Sequence, residues 1–430
     1  MRSLLMLASV AVAFHPAASD AQTAPTPVTF TRDVAPIFQE KCETCHRPDS
    51  IAPMSLRTYE EARPWARAIR SRVATRQMPP WHIDKTVGIQ KFKNDRSLSD
   101  EQMETVLAWI DQGAPKGDPR DMPASRQWPE GQGWNYAAMF GQKEPDLIIR
   151  NKSWTMKAGQ GNTWFKRVVD TGVTEPRWVR AIEVRPGTVK GRKITHHANV
   201  EIDQVEPDGS VTSGRFMEWA VGKEGELMRS DTGRLIMPGS KVSFDVHYAS
   251  TNEDVTDAVE MGLYFYPKGQ QPKYRQSLLS VGSSGDNLDI PPNSIATHEG
   301  FFVLPKAARL ESFQPHMHLR GKAQALEAIL PTGQSVMLSY VGDFNFNWHN
   351  SYIYADDVAP LLPKGTVLKA TSWHDNTAAN KANPDPNIWV GYGERTGDEM
   401  NHVWISITYM DDADYLSEVQ TRRAKLSQQQ

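Results

Sequence analysis

The chain of 430 residues is poor in cysteine: it has two, Cys42 and Cys45. A disulfide framework is therefore excluded, and the fold must rest on core burial, which this length can supply in two or three domains. Charge of either sign is not in excess. Lys and Arg number 48 against 51 Asp and Glu, a net −3 that argues against nucleic acid as a partner. Long apolar runs are missing too, so no segment after the N-terminus reads as a membrane span. Turn-formers are plentiful, with 29 glycines and 29 prolines, and together with 13 tryptophans they suit a β-rich chain.

The N-terminus carries Arg2, an apolar run from Leu4 to Phe14, and small residues around Ser19-Asp20-Ala21. This pattern predicts a secretory signal peptide over 1–21, and hence an exported, soluble protein in the periplasm or beyond. Both cysteines fall in Cys42-Glu43-Thr44-Cys45-His46, the C-x-x-C-H pattern of covalent haem attachment. The thiols would add to the two vinyl groups of one heme c, and His46 would be the proximal iron ligand. A zinc site would need two more ligands nearby, and a dithiol redox pair would not need the histidine.

Residues 28–115 read as helical. Val34, Ile37 and Phe38 make an apolar stripe, Thr58 with Glu61 and Ser99 with Gln102 are capping boxes, and Met103, Val106, Leu107 and Ile110 recur at helical spacing. The expectation is a small all-α cytochrome c-like domain. For the sixth iron ligand Met78 is preferred, because the following Pro79 holds it extended and able to project from a loop. Met54, His82 or an open position are the alternatives. Residues 116–144 read as a linker.

Beyond 145 short alternating runs recur, split by Pro-Gly, Asp-Gly and Asn-rich turns, which predicts two antiparallel β-sandwich (jelly-roll) domains over 145–285 and 286–415. A polar tail, 416–430, follows. Histidines punctuate these runs. His316 and His318 stand two apart, so on a strand both rings face one side. His196 and His197 are adjacent, and both can reach one ion only where the strand is irregular. His247 alone reads as a core residue. Imidazole with thioether donors favours copper over magnesium or calcium.

Four linked motifs occur in order: Thr195-His196-His197-Ala198, then Met237-Pro238-Gly239 leading to Val246-His247-Tyr248, then His316-Met317-His318-Leu319-Arg320-Gly321-Lys322, then Gly397-Asp398-Glu399-Met400. Over roughly 150–415 the chain resembles the copper type II, ascorbate-dependent monooxygenases, the family of peptidylglycine α-hydroxylating and dopamine β-monooxygenases. The haem motif and Asn383-Pro384-Asp385-Pro386 are similar to a bacterial branch with a fused cytochrome c. The resemblance implies one copper on His196, His197 and His247 that stores an electron. It implies a second on His316, His318 and Met400, where oxygen binds and a substrate C–H bond is attacked, with an open cleft between the two. His298, His349, His374 and His402 match no ligand position and read as surface, turn or supporting residues, with His349 and His374 as candidates to line the cleft. The animal members' disulfides and substrate-orienting residues have no counterpart here.

The expected function is a periplasmic copper-dependent monooxygenase that hydroxylates an unidentified small molecule with O2, with the haem as electron inlet from a periplasmic donor. The alternative is a haem and copper electron carrier without oxygenase chemistry.

Overall fold

The computed structural model describes residues 27–128, 133–221, 223, 225–282 and 287–428. The expected signal peptide lies outside them.

Two β-sandwiches dominate. In the first, a four-stranded antiparallel sheet runs in the order Asn162–Asp170, Lys241–Ala249, Thr195–Val205, Val211–Ala220. It packs on a sheet of Leu147–Arg150, Glu260–Phe265, Arg177–Arg185 and Thr232–Ile236. Alternation points Val200, Phe244 and Val246 from one sheet at Val179, Ile182 and Val184 from the other, and all six are fully buried. The second sandwich repeats the plan. Ile295–Val303, Val367–Asp375, Gly321–Ile329 and Ser335–Val341 form one sheet, and Tyr274–Gly282, His402–Met410, Ala307–Leu310 and Leu361–Leu362 the other. Ser312–His316 also pairs with His402–Met410. Leu310, Phe313, Leu326, Leu368, Ile405 and Ile407 fill its core.

The sandwiches share a sheet. Tyr274–Gly282 pairs antiparallel with His402–Met410 and briefly parallel with Thr232–Ile236, through Tyr274↔Thr232 and Arg275↔Gly233. Polar pairs reinforce the joint. Arg275 makes two hydrogen bonds to Glu206, at 2.7 and 2.8 Å, and Lys223 reaches both Glu226 and Gln314. This joint fixes how the two sandwiches face each other.

The expectation of a small all-α cytochrome c-like domain is corrected. Strand accounts for 37% of the chain and helix for 17%. The N-terminal helices are short: Ala35–Lys41, Tyr59–Ala62, Ala66–Ala74 and Asp100–Asp111. Both capping boxes form, at Thr58 with Glu61 and at Ser99 with Gln102. These helices pack Phe30, Phe38, Ile69, Val106 and Trp109 into a cluster, but the chain between them does not stay with it. Trp81, Ile83 and Phe92 are buried in the core of the second sandwich, against Tyr352 and Tyr354. Backbone bonds from Asp84 to Tyr340, Ile89 to Leu338 and Lys93 to Ile353 stitch this arm down. The reason is apolar burial: three large side chains in an aperiodic stretch find a partner surface on the sheet, which no short helix offers.

Residues 116–144 pack as well as connect, with Trp134 and Ala137 buried on Ala181 and Tyr264. The C-terminal tail forms a helix, Asp412–Ser427, docked by Glu418 against Arg309 and Arg229 and by Arg422 on the Ala359 and Asp356 carbonyls. Among the described residues, no helix is long and apolar enough to cross a membrane.

Candidate metal centre between the sandwiches

His196 and His197 open the strand Thr195–Val205, and the ladder there is irregular. Thr195 lies opposite Tyr248 and His197 opposite His247, which leaves His196 as an extra residue. Such a bulge turns two consecutive side chains toward one side, which a regular strand cannot do. His247, in the neighbouring strand, closes the group. Ligand atoms of His196, His197 and His247 all lie within 4.8 Å of one another, and the three ring centroids are 5.1–5.3 Å apart. Trp164 stacks on His247 at 4.3 Å and 13°, fixing that ring's plane. Both ring nitrogens of His247 are buried without a hydrogen-bond partner. Burial pulls His196 down to about 3, helped by His349 and His247, and His247 down to about 4. His196 Nδ1 and His197 Nδ1 lie 3.0 Å apart, in contact with each other, and neutral imidazoles crowded together in this way are a donor set that copper or zinc satisfies.

The second set is built differently. His316 ends the strand Ser312–His316 and stacks on His402, its partner across the ladder, at 4.6 Å and 8°. His318 stands beyond the strand, in the turn before Gly321–Ile329. The His316 and His318 rings are 5.6 Å apart. His318 Nδ1–H donates to the Asp398 carbonyl at 3.1 Å, which leaves Nε2 for a ligand. Met400 is brought in from a distant loop by Glu399, which is fully buried. One oxygen of its carboxylate accepts from the His318 N–H at 2.8 Å and the Met400 N–H at 3.3 Å. The other accepts from the Arg320 N–H at 2.5 Å. A single carboxylate thus ties both ligand-bearing segments together. Burial raises it to about 7 against the pull of those three N–H donors. His374, also fully buried, donates from Nε2 to the Met400 carbonyl at 3.1 Å.

The two sets face a common cleft with a cavity of about 460 Å³. His197 contributes from one side and His316, His318 and Met400 from the other, with Trp164, Tyr392, His402 and Trp404 as aromatic wall. Lys166, Glu201, Arg215, Asp245 and Glu394 line it with charge. On the inner side the sets come close. Phe346 lies against both His196, at 4.8 Å, and His318, at 5.8 Å. His349 stands 4.8 Å from His316, 6.1 Å from His196 and 6.3 Å from His197 by ring centroids. Of the readings open for His349 (surface, turn, supporting or cleft-lining residue), the fold places it as a buried one between the two sets, at the turn that begins with Phe346. His402, not His349 or His374, lines the cavity. Glu218 and His349 carry no motif signal of their own, and Glu399 falls in the Gly397-Asp398-Glu399-Met400 motif without a role assigned to it there; what makes them important is which strands and loops the fold brings together.

At the N-terminus, Cys42, Cys45 and His46 sit in one turn after the helix Ala35–Lys41, with His46 N–H bonded to the Cys42 carbonyl at 2.9 Å. His46 Nδ1–H donates to the Met54 carbonyl at 3.2 Å, again leaving Nε2 free to bind. Burial pushes the Cys42 thiol up to about 12. Met54 therefore serves the His46 side through its backbone. Met78 is half-buried in the turn after Ala66–Ala74, its N–H bonded to the Arg72 carbonyl at 3.2 Å. The donor chemistry fits a covalently attached haem. The cavity beside Cys45 is about 50 Å³, smaller than a porphyrin. Arg47, Arg185, Arg192, Lys223, Trp219 and the carboxylate of Glu183 line that cavity, with Lys223 paired to Glu226 and Arg185 to Glu260.

No protein-family model and no curated protein matches the chain. Among solved structures it is similar to PNGF-II at 10% identity and a TM-score of 0.30, covering 64% of this chain and 67% of that one. It is also similar to a fucolectin from striped bass serum at 12% identity and a TM-score of 0.15, covering 60% of this chain and 85% of that one.

Proposed function

We propose that the chain is an exported copper-dependent monooxygenase that hydroxylates a C–H bond of a small molecule, with haem on Cys42, Cys45 and His46 as its electron inlet. One observation carries this reading: two separate sets of soft and borderline donors, one from each sandwich, reach the same cleft, through His197 on one side and His316, His318 and Met400 on the other. A carrier needs one buried metal, whereas two unlike sets across a cavity suit binding a substrate between them. When bound, copper would supply oxygen activation and one-electron redox chemistry, and haem one-electron exchange with an outside donor.

The residues prepare the site for that chemistry. The His196, His197 and His247 set is all imidazole, held by paired strands and the Trp164 stack, so it can change charge with little movement. In the other set, His318 is oriented by Asp398 and Met400 by Glu399 and His374. A thioether beside two imidazoles favours the reduced ion. Trp404 and Tyr392 give the cavity apolar faces, and Arg215, which lies over the Trp404 ring at 4.7 Å, adds a fixed positive charge. Trp219 links the two ends. It lines the cavity beside Cys45 and lies opposite Ala198, next to His197 in sequence.

The test is incorporation of ¹⁸O from ¹⁸O2 into a panel of small C–H substrates by the copper-loaded protein with a reductant. Labelled product that requires copper is the expected result. Copper binding with no product on any substrate, and no reductant-driven oxygen uptake, would leave the carrier reading in its place. The inlet is tested by stopped flow: reduced haem should reoxidise faster under oxygen and substrate with copper present than without it, and equal rates would remove the haem from the route.

A further inference from the structure

Glu218, His316 and His349 form a second compact donor group, distinct from the three-histidine set. Their ligand atoms all lie within 4.8 Å of one another. All three side chains are buried, Glu218 and His349 at 2% exposure and His316 at 5%. Glu218 Oε1, His316 Nδ1 and both ring nitrogens of His349 have no hydrogen-bond partner. Each buried polar atom left unpaired costs about 1–3 kcal/mol, and three residues that each turn such an atom to one spot make a concentration that folded proteins avoid unless something fills it. The Glu218 Oε1 to His316 Nδ1 distance is 3.7 Å. That is too long for a hydrogen bond, yet it lies within the span, up to about 4 Å, of two donors each about 2.0–2.1 Å from one ion. The second Glu218 oxygen accepts from Gln314 Nε2, which orients the free one, as ligand carboxylates are oriented in metal sites.

We propose that Glu218, His316 and His349 bind a third divalent cation, zinc or copper(II), that clamps the two sandwiches together. Glu218 comes from the strand Val211–Ala220 of the first sandwich, and both histidines come from the second. Two imidazoles and a carboxylate without sulfur select a borderline ion over calcium or magnesium. His316 turns Nδ1 to this group while its ring also lines the cleft, so it stands between two metal positions. This site does not depend on the oxygenase reading, since it needs neither His318 nor Met400.

The experiment uses the full chain, stripped with chelator and titrated with Zn²⁺, in a His247→Ala background that disables the neighbouring three-histidine set. At least one Zn²⁺ should remain bound after gel filtration, measured by elemental mass spectrometry. Adding Glu218→Gln or His349→Asn should remove it or weaken it at least about 100-fold, since losing even an outer-shell partner costs 10–100-fold. Adding His318→Ala should leave it in place. Uptake unchanged in both Glu218→Gln and His349→Asn would overturn the proposal. So would its loss in His318→Ala, which would put the ion in the cleft set. Zinc-edge X-ray absorption on the His247→Ala protein reads the ligands even where a further variant fails to fold. Two imidazoles and oxygen support the site, and sulfur in the shell refutes it.

Discussion

The two donor sets facing the cleft are held by opposite means. His196, His197 and His247 stand on paired strands, and their positions follow from ladder register plus one extra residue. His316, His318 and Met400 are spread over 85 residues of chain ending in an irregular loop, and they meet because Glu399 bonds the backbone on both sides. The sheet-borne set is rigid through its backbone, whereas the loop-borne set depends on a buried carboxylate and Arg320, which is fully buried as well. A loop-borne ligand can shift when its support changes; a sheet-borne one moves only with the sheet.

Breaking the support of the loop should give the largest effect. Arg320 bonds Asn376 at 2.8 Å, the Gly397 carbonyl at 3.0 Å and the Asp385 carbonyl at 3.2 Å. Arg320→Ala strands those acceptors and the Glu399 charge, and should cost about 3–5 kcal/mol in denaturant unfolding. Copper held by His196, His197 and His247 should keep its EPR spectrum in whatever fraction folds.

The sets should also differ in the sign of their pH dependence in metal-free protein. Glu399 is raised from 4.5 to about 7 in the fold. Its contribution is fully present below about pH 4.5 and is lost as pH rises through 7. His196 and His247 are lowered from 6.5 to about 3 and about 4, so theirs is present above 6.5 and lost as pH falls toward 3. Glu399→Gln should therefore abolish about 2–3 kcal/mol of stability loss between pH 4.5 and 8, while leaving the acid-side loss unchanged. Thermal melts across pH check both halves, and an unchanged alkaline side in Glu399→Gln would contradict the first.

A smaller effect separates the joint between sandwiches from the donors themselves. Arg275 holds Glu206 down to about 2. Glu206→Gln should cost about 1–2 kcal/mol at pH 7, and the difference from wild type should vanish as pH falls from 4.5 through 2. Smallest is Trp164→Ala. Trp164 is 36% exposed, so the stack on His247 is worth about 1 kcal/mol of stability. It should loosen copper at the sheet-borne set only, seen as a broadened EPR signal.

Much of the sheet-borne site is legible in sequence, because the paired histidines require an irregular strand and the ladder supplies one. The β-sandwiches are legible for the same local reason: alternation and turn residues act within ten residues of one another. What was not legible depends on contacts between distant segments. Trp81, Ile83 and Phe92 show no period, so nothing local says that they leave the helices for a sheet more than 200 residues away. His349 looks like a turn residue beside Trp348 until Glu218 arrives from the other sandwich. Capping boxes predicted helix starts correctly, but starts do not decide whether short helices make a domain of their own.

The central claim is that the cleft between unlike sets is where oxygen chemistry takes place, and Met400→Ala tests it most directly. With copper loaded and a reductant supplied, the variant should lose at least about 100-fold in ¹⁸O2-dependent product formation, on the order of 3 kcal/mol of barrier. Its haem spectrum and the EPR signal of the three-histidine copper should stay unchanged. Full activity in Met400→Ala with one copper fewer would contradict the account.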